Sequence, residues 1–192
     1  MKNVKPALLA AVAVFIWSFI SWSVLPWHQA TLAPFANDAP VAQAIKANAT
    51  AGTRIYFLPG MRRPDGAHVD KKIWEEAVER GPVFMGVVRP GPSPRGMILR
   101  LLCSFLIQFV GTLVLAWILQ HCPKQTYQGR VGVCAAAGFF AGVVAWLPPW
   151  NWWDFPFSYV LVGLLDLFIG GIAAGLVLAR FIKPHVIPHH QF

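Results

Sequence analysis

The sequence predicts an all-α membrane bundle of four transmembrane helices with a small α/β extramembrane domain, periplasmic in placement, inserted between helices 1 and 2. Three observations lead there. Of 192 residues, 56% are hydrophobic and only 12% are charged, against about 25% charged in a soluble domain. The apolar residues gather into four runs, each close to the roughly 20 residues that cross a hydrocarbon core. Basic residues then cluster on alternate sides of those runs. The predicted division is 1–26 for the first helix, 27–96 for the extramembrane domain, 97–183 for the remaining three helices, and 184–192 for a cytoplasmic tail.

The first run, Pro6 to Pro26, follows Lys2 and Lys5. It is longer than the about 7–15 apolar residues of a signal peptide. Trp17, Trp22 and Trp27 bracket its outer half as interfacial anchors do. An uncleaved anchor is expected. In the domain that follows, Asn37-Asp38 caps a helix whose apolar positions are Val41, Ala44, Ile45 and Ala49, and Gly52 ends it. TRIYFL, at 53–58, is rich in strand formers. Asp70 caps a second helix with an apolar stripe of Ile73, Trp74, Ala77 and Val78, stopped by Gly81-Pro82. VFMGVV, at 83–88, reads as a second strand. Two strands joined by a helix predict a right-handed parallel crossover. A core of this size is marginal alone, so the domain is expected to lean on the membrane helices or on a partner.

The second apolar run is Met97 to Gln120. The third, Val131 to Leu147, is expected to stop at Pro148-Pro149, and the fourth is Phe157 to Ile182. Nothing alternates with period two over barrel-length segments, so these runs read as helices. Lys2, Lys5, Lys124, Arg130, Arg180 and Lys183 flank one side, where no acidic residue lies. The loop PPWNWWDFP has no basic residue. The positive-inside rule then predicts both termini cytoplasmic. The nine basic residues of 27–96 do not disturb this, because segments beyond about 60 residues translocate largely regardless of charge. The net charge of +8 gives no sign of nucleic-acid binding, since no polar segment interleaves Arg/Lys with aromatics.

Asp166 is the most informative residue. It lies about nine residues, or roughly 13 Å, inside the fourth helix. There an exposed carboxylate costs roughly 2.5–3.5 kcal/mol, so it should face protein or water. Gln108 and Ser18 fall at similar depth in the second and first helices, and the three are expected to meet in one intramembrane polar cluster. That cluster could carry protons or cations, or it could join helices by hydrogen bonds. Gly138 and Gly142 in the third helix, and Gly171 and Gly175 in the fourth, have GxxxG spacing, which predicts close backbone packing. Gly171 and Gly175 lie on the face away from Asp166, giving the fourth helix two contact faces. Trp150, Trp152, Trp153 and Asp154 form an outer loop suited to the membrane interface or to a partner.

The remaining residues carry less. Cys103, Cys122 and Cys134 form no CxxC pair, so neither a disulfide framework nor a metal site is expected. None of the six histidines lies inside an apolar run, which speaks against an intramembrane haem held by this chain. His185, His189 and His190 fall in the tail, and the Asn48-Ala49-Thr50 sequon matters only in a eukaryotic secretory setting. There is no HExxH, GxSxG, Walker-type loop or Rossmann glycine string.

SWSVLPWH at 21–28 and WNWWDFPFSY at 150–159, with Asp166 following, resemble segments of uncharacterised bacterial inner-membrane proteins. The resemblance implies location and helix count and brings no activity. The leading expectation is a non-catalytic accessory or scaffolding subunit of a larger inner-membrane complex, such as an electron-transfer or photosynthetic assembly. Its partners would be the lipid bilayer and other membrane subunits, with no cofactor of its own and contact to lipid, quinone or pigment only through them. The alternative is a small transporter or channel component using Asp166, for which a water-filled cavity reaching that carboxylate would speak. A third is a membrane enzyme with His28, Asp154 and Arg100 converging at the outer interface.

Overall fold

The computed structural model describes residues 3–122 and 126–182. The tail 184–192, with its histidines, and Lys2, Lys124 and Lys183 of the charge pattern lie outside the described residues. Two compact units emerge: residues 1–33 with 95–192, and residues 34–94.

The first unit holds four helices long and apolar enough to cross a membrane, which supports a multi-pass membrane protein. They are α1 (Val4–Phe19), continued by a π-helical turn (Ile20–Val24), then α4 (Met97–His121), α5 (Tyr127–Trp153) and α6 (Phe157–Phe181). Neighbours run antiparallel. Phe15 meets Phe105 edge to face, and Thr112 Oγ1 donates to the Ala7 carbonyl at 2.9 Å, fixing α4 against α1. Ala7, Ala10 and Ala11 are fully buried; methyl-sized side chains let the α1 backbone come close.

α6 is the most buried of the four, and it packs on α5 through the two GxxxG motifs. A Cβ added to Gly171 would sit 2.6 Å from the Cys134 carbonyl oxygen, and one added to Gly138 would strike the backbone of Leu167 and Gly171. Gly142 abuts Leu164, and Gly175 abuts Val131 and Cys134. The opposite face of α6 meets α1, where Gly170 lies near Val14 and Trp17. α4 packs on α1 and scarcely touches α5 or α6. Tyr127 donates to the Leu176 carbonyl at 3.0 Å and Arg130 to the Ile182 carbonyl, closing the other end of the α5–α6 pair.

One helix boundary differs from the sequence expectation. α5 does not stop at Leu147. It continues through Pro148 and Pro149 to Trp153. Each proline forfeits its own N–H bond and crowds the carbonyl four residues back, yet the helix continues past both to Trp153. It ends instead at Asp154, whose left-handed φ of 54° breaks the helix while its N–H donates to the Pro149 carbonyl. Trp150, Trp152 and Trp153 therefore belong to the last helical turn rather than to a loop.

The second unit contains α2 (Asp38–Asn48), β1 (Arg54–Leu58), α3 (Lys71–Arg80) and β2 (Phe84–Val88). Asn37 caps α2 and Asp70 caps α3, the latter accepting from Lys72 and Ile73. Trp74 Nε1 donates to the Pro59 carbonyl at 3.0 Å, tying α3 to the end of β1. The strands pair antiparallel, Arg54 with Val88 through Leu58 with Phe84, which overturns the expected parallel crossover. The connection contains an extra reversal, closed by the Arg62–His68 bridge and the Val69 N–H to Met61 carbonyl bond. One more change of direction brings the second strand back the opposite way. No residue of 34–94 is buried, so this unit has a thin core, as its length implies.

Candidate functional site

Asp166 projects from α6 toward α1, and its partners come from the end of α1 and the chain just beyond it. The π-helical turn widens the backbone spiral at Ile20–Val24 and turns Ser21 inward, where it is fully buried. Such turns recur at functional sites. Leu25 is extended, and at Pro26 the chain folds back. This carries Trp27 and His28 into the helical unit instead of away from it.

The result is a compact polar knot. Ser21 Oγ donates to Asp166 Oδ1 at 2.5 Å. His28 Nε2 lies 2.7 Å from Asp166 Oδ2 and 3.0 Å from Ser21 Oγ. Trp27 Nε1 donates to Ser21 Oγ at 3.0 Å and lies 3.1 Å from the Ser21 carbonyl. Trp17 Nε1 donates to the Asp166 carbonyl at 3.2 Å. Trp22 stacks flat on the His28 ring, centroids 3.7 Å apart. The His28 side chain is 6% exposed and that of Asp166 17%, so the carboxylate keeps an open side.

That open side faces a cavity of about 630 Å³ bounded by all four helices. The volume falls within the range of about 300–1,000 Å³ typical of small-molecule sites. The cavity exists because α4 stands off from α5 and α6. At one end are Asp166, His28, Ser18 and Gln108, with the indoles of Trp17, Trp22 and Trp146. From there it runs past Leu167 to Ala174 on α6 and past Gly111 to Ile118 on α4. Each stretch spans seven helical steps, about 10 Å of apolar wall. Thr112 is the polar residue on that wall, and its hydroxyl is taken by the Ala7 and Phe109 carbonyls. Gly111 has no atom within 4 Å of where its Cβ would be, so the wall there is open space.

The three residues expected to cluster all line this cavity, with a different pairing. Gln108 Nε2 donates to Ser18 Oγ at 3.0 Å, while Asp166 is held by Ser21 and His28. Gln108 Oε1 is buried with no hydrogen-bond partner among the described residues. His28 has Asp166 as its carboxylate partner, rather than the Asp154 with which an outer-interface site would have joined it. Ser21, His28 and Asp166 have the composition of a hydrolytic triad without its wiring. In a triad the imidazole stands between hydroxyl and carboxylate and uses a different nitrogen for each. Here Nε2 alone faces both, and the serine proton points at the carboxylate.

No family model, curated protein or solved structure matches this chain.

The site must therefore be read from its own chemistry. It has an apolar shaft, a buried carboxylate sharing a proton-length contact with an imidazole, and a second polar pair nearby. Sequence reasoning found Asp166, Gln108 and Ser18 by depth. It missed Ser21, which sat unremarked in an apolar run, and although it placed His28 just outside the first helix, as observed, it did not join His28 to Asp166. The spacing of Trp17, Trp22 and Trp27 by five residues departs from the helical 3.6. That was the one sign in the sequence that the helix does not continue regularly there.

Proposed function

We propose that this chain is a membrane-embedded binding protein that takes an apolar small molecule with a polar head into the cavity among its four spanning helices. The observation that carries this reading is the cavity itself, apolar along its length and polar at one end around Asp166. A pocket built only by loose packing would have no reason to place its ionisable pair there, because a carboxylate in hydrocarbon surroundings is unfavourable. In this reading the chain sits in a bacterial inner membrane with both termini cytoplasmic and residues 34–94 on the periplasmic side. The distribution of Lys5, Arg130 and Arg180 supports that orientation. The same placement puts the polar end of the cavity toward the periplasmic leaflet, since α1 ends and α6 begins there. The arrangement is compatible with a transport component that loads its ligand through the gap beside α4.

A second reading, an accessory subunit of a larger membrane complex, is favoured by the thin packing of α4 on α5 and α6. A helix of a partner subunit would then fill the gap. Gly111→Phe separates the two. It adds a ring where nothing lies within 4 Å and closes the cavity from inside. Gly132→Phe is the control, since Gly132 is equally open and does not line the cavity. Protein purified in mild detergent is extracted and its small molecules and co-purifying chains are measured by mass spectrometry. An apolar small molecule held by the wild type and by Gly132→Phe, and lost from Gly111→Phe, is the expected result. Loss of a co-purifying chain instead supports the subunit reading. Identical content in all three proteins overturns the cavity as a binding site.

A further inference from the structure

The polar end of the cavity also specifies the charge of what enters it, and this inference rests on the binding reading above. Among the described residues that line the cavity, Asp166 and His28 are the only ionisable ones; α1, α4 and α5 contribute none, and no Lys or Arg is present. The Asp166 carboxylate keeps an open side toward this cavity, and a carboxylate in low-dielectric surroundings favours a cation beside it.

One further feature points to an organic cation. Trp17 and Trp22 line that end too, and indole faces attract cations. A carboxylate and aromatic rings therefore collect at the head, with about 10 Å of apolar wall beyond it. A carboxylate or phosphate head would be repelled by Asp166.

We propose that the cavity binds a protonated amine on an apolar body. The ammonium donates to the Asp166 carboxylate on its open side, and the apolar body lies against Gly111, Leu115 and Gly170.

The full chain, reconstituted in phosphatidylcholine nanodiscs, tests this by equilibrium dialysis with decylammonium, decanol and decanoate, subtracting binding to empty discs. The wild type is expected to bind decylammonium at least about tenfold more tightly than decanol, and decanoate least. Asp166→Asn should remove the preference for ammonium and keep decanol binding, which also shows that the variant is folded. If that variant does not reconstitute, the ranking of the three heads on the wild type still decides. Equal binding of all three heads, blocked by Gly111→Phe, overturns the cation inference and leaves the cavity reading standing. A preference for decanoate overturns it as well. Binding of none of the three above empty discs, with no effect of Gly111→Phe, overturns the cavity reading and this inference together.

Discussion

Asp166 illustrates how a residue that is unfavourable in isolation becomes the organising point of its surroundings. Its two carboxylate oxygens each take one hydrogen bond, from Ser21 and from His28, and its backbone carbonyl takes a third from Trp17. Substitution separates the packing role of this residue from its charge. Asn keeps the shape, and its amide oxygen can accept from Ser21. The His28 imidazole can move its proton to Nδ1, so that Nε2 accepts from the new amide. Leu removes the side-chain bonds to Ser21 and His28 and leaves those two buried groups only each other and Trp27 as partners, at about 1–3 kcal/mol for a buried group that loses its partner. Thermal unfolding of the detergent-solubilised protein should therefore place Asp166→Asn near the wild type and Asp166→Leu well below both. Equal melting of Asn and Leu variants would mean the knot contributes nothing to the fold. At this scale the sequence showed the carboxylate but hid its partners. Depth along a helix can be counted in residues, whereas the fold-back at Pro26 that returns His28 to the same depth depends on tertiary packing.

Among the elements, the α5–α6 pair is held by absence of side chains. Without Cβ atoms on Gly138 and Gly171 the two backbones approach to van der Waals contact, and dispersion takes over the role that hydrophobic exclusion has in water. Gly171→Leu drives a side chain into the Cys134 carbonyl; overpacking of this kind costs about 1–3 kcal/mol. Gly132→Leu, with open space around it, should be neutral or slightly favourable because leucine is the better helix former. Size-exclusion profiles and melting temperatures of the two variants test the pair; wild-type behaviour of Gly171→Leu would place that glycine against lipid. Glycine spacing was legible because it is a local pattern read on one helix at a time. The run of α5 through Pro148-Pro149 was not, since a double proline is a strong stop signal on its own and only the cap at Asp154 shows where the helix ends. The antiparallel pairing of β1 and β2 escaped for a related reason. Strand direction depends on the number of reversals in the connection, and the Arg62–His68 turn has no apolar periodicity to announce it.

Across the whole molecule, the charge pattern and the cavity make one joint claim about sidedness. α1 and α5 run one way, α4 and α6 the other, so the end of α1, the start of α6 and the aromatic turn at Trp150–Trp153 belong to the same membrane face. Lys5, Arg130 and Arg180 belong to the opposite one, and cytoplasmic loops are the ones enriched in such residues. In the proposed orientation the polar end of the cavity lies nearer the periplasmic face. Replacing Cys103, Cys122 and Cys134 and introducing single cysteines gives the test. Asn151→Cys and Ala67→Cys should react with a membrane-impermeant maleimide in cells whose outer membrane has been made permeable, and Gln128→Cys should react only after lysis. Reaction at Gln128 with protection at both other sites would invert the chain and put the loading end of the cavity at the cytoplasmic leaflet. Reaction at both Asn151 and Gln128 in unlysed cells would mean that α5 does not cross the membrane. In that case the glycine-mediated α5–α6 hairpin would have to enter and leave by one face, which its 27 and 25 helical residues make unfavourable, because each is long enough on its own to span the hydrocarbon core.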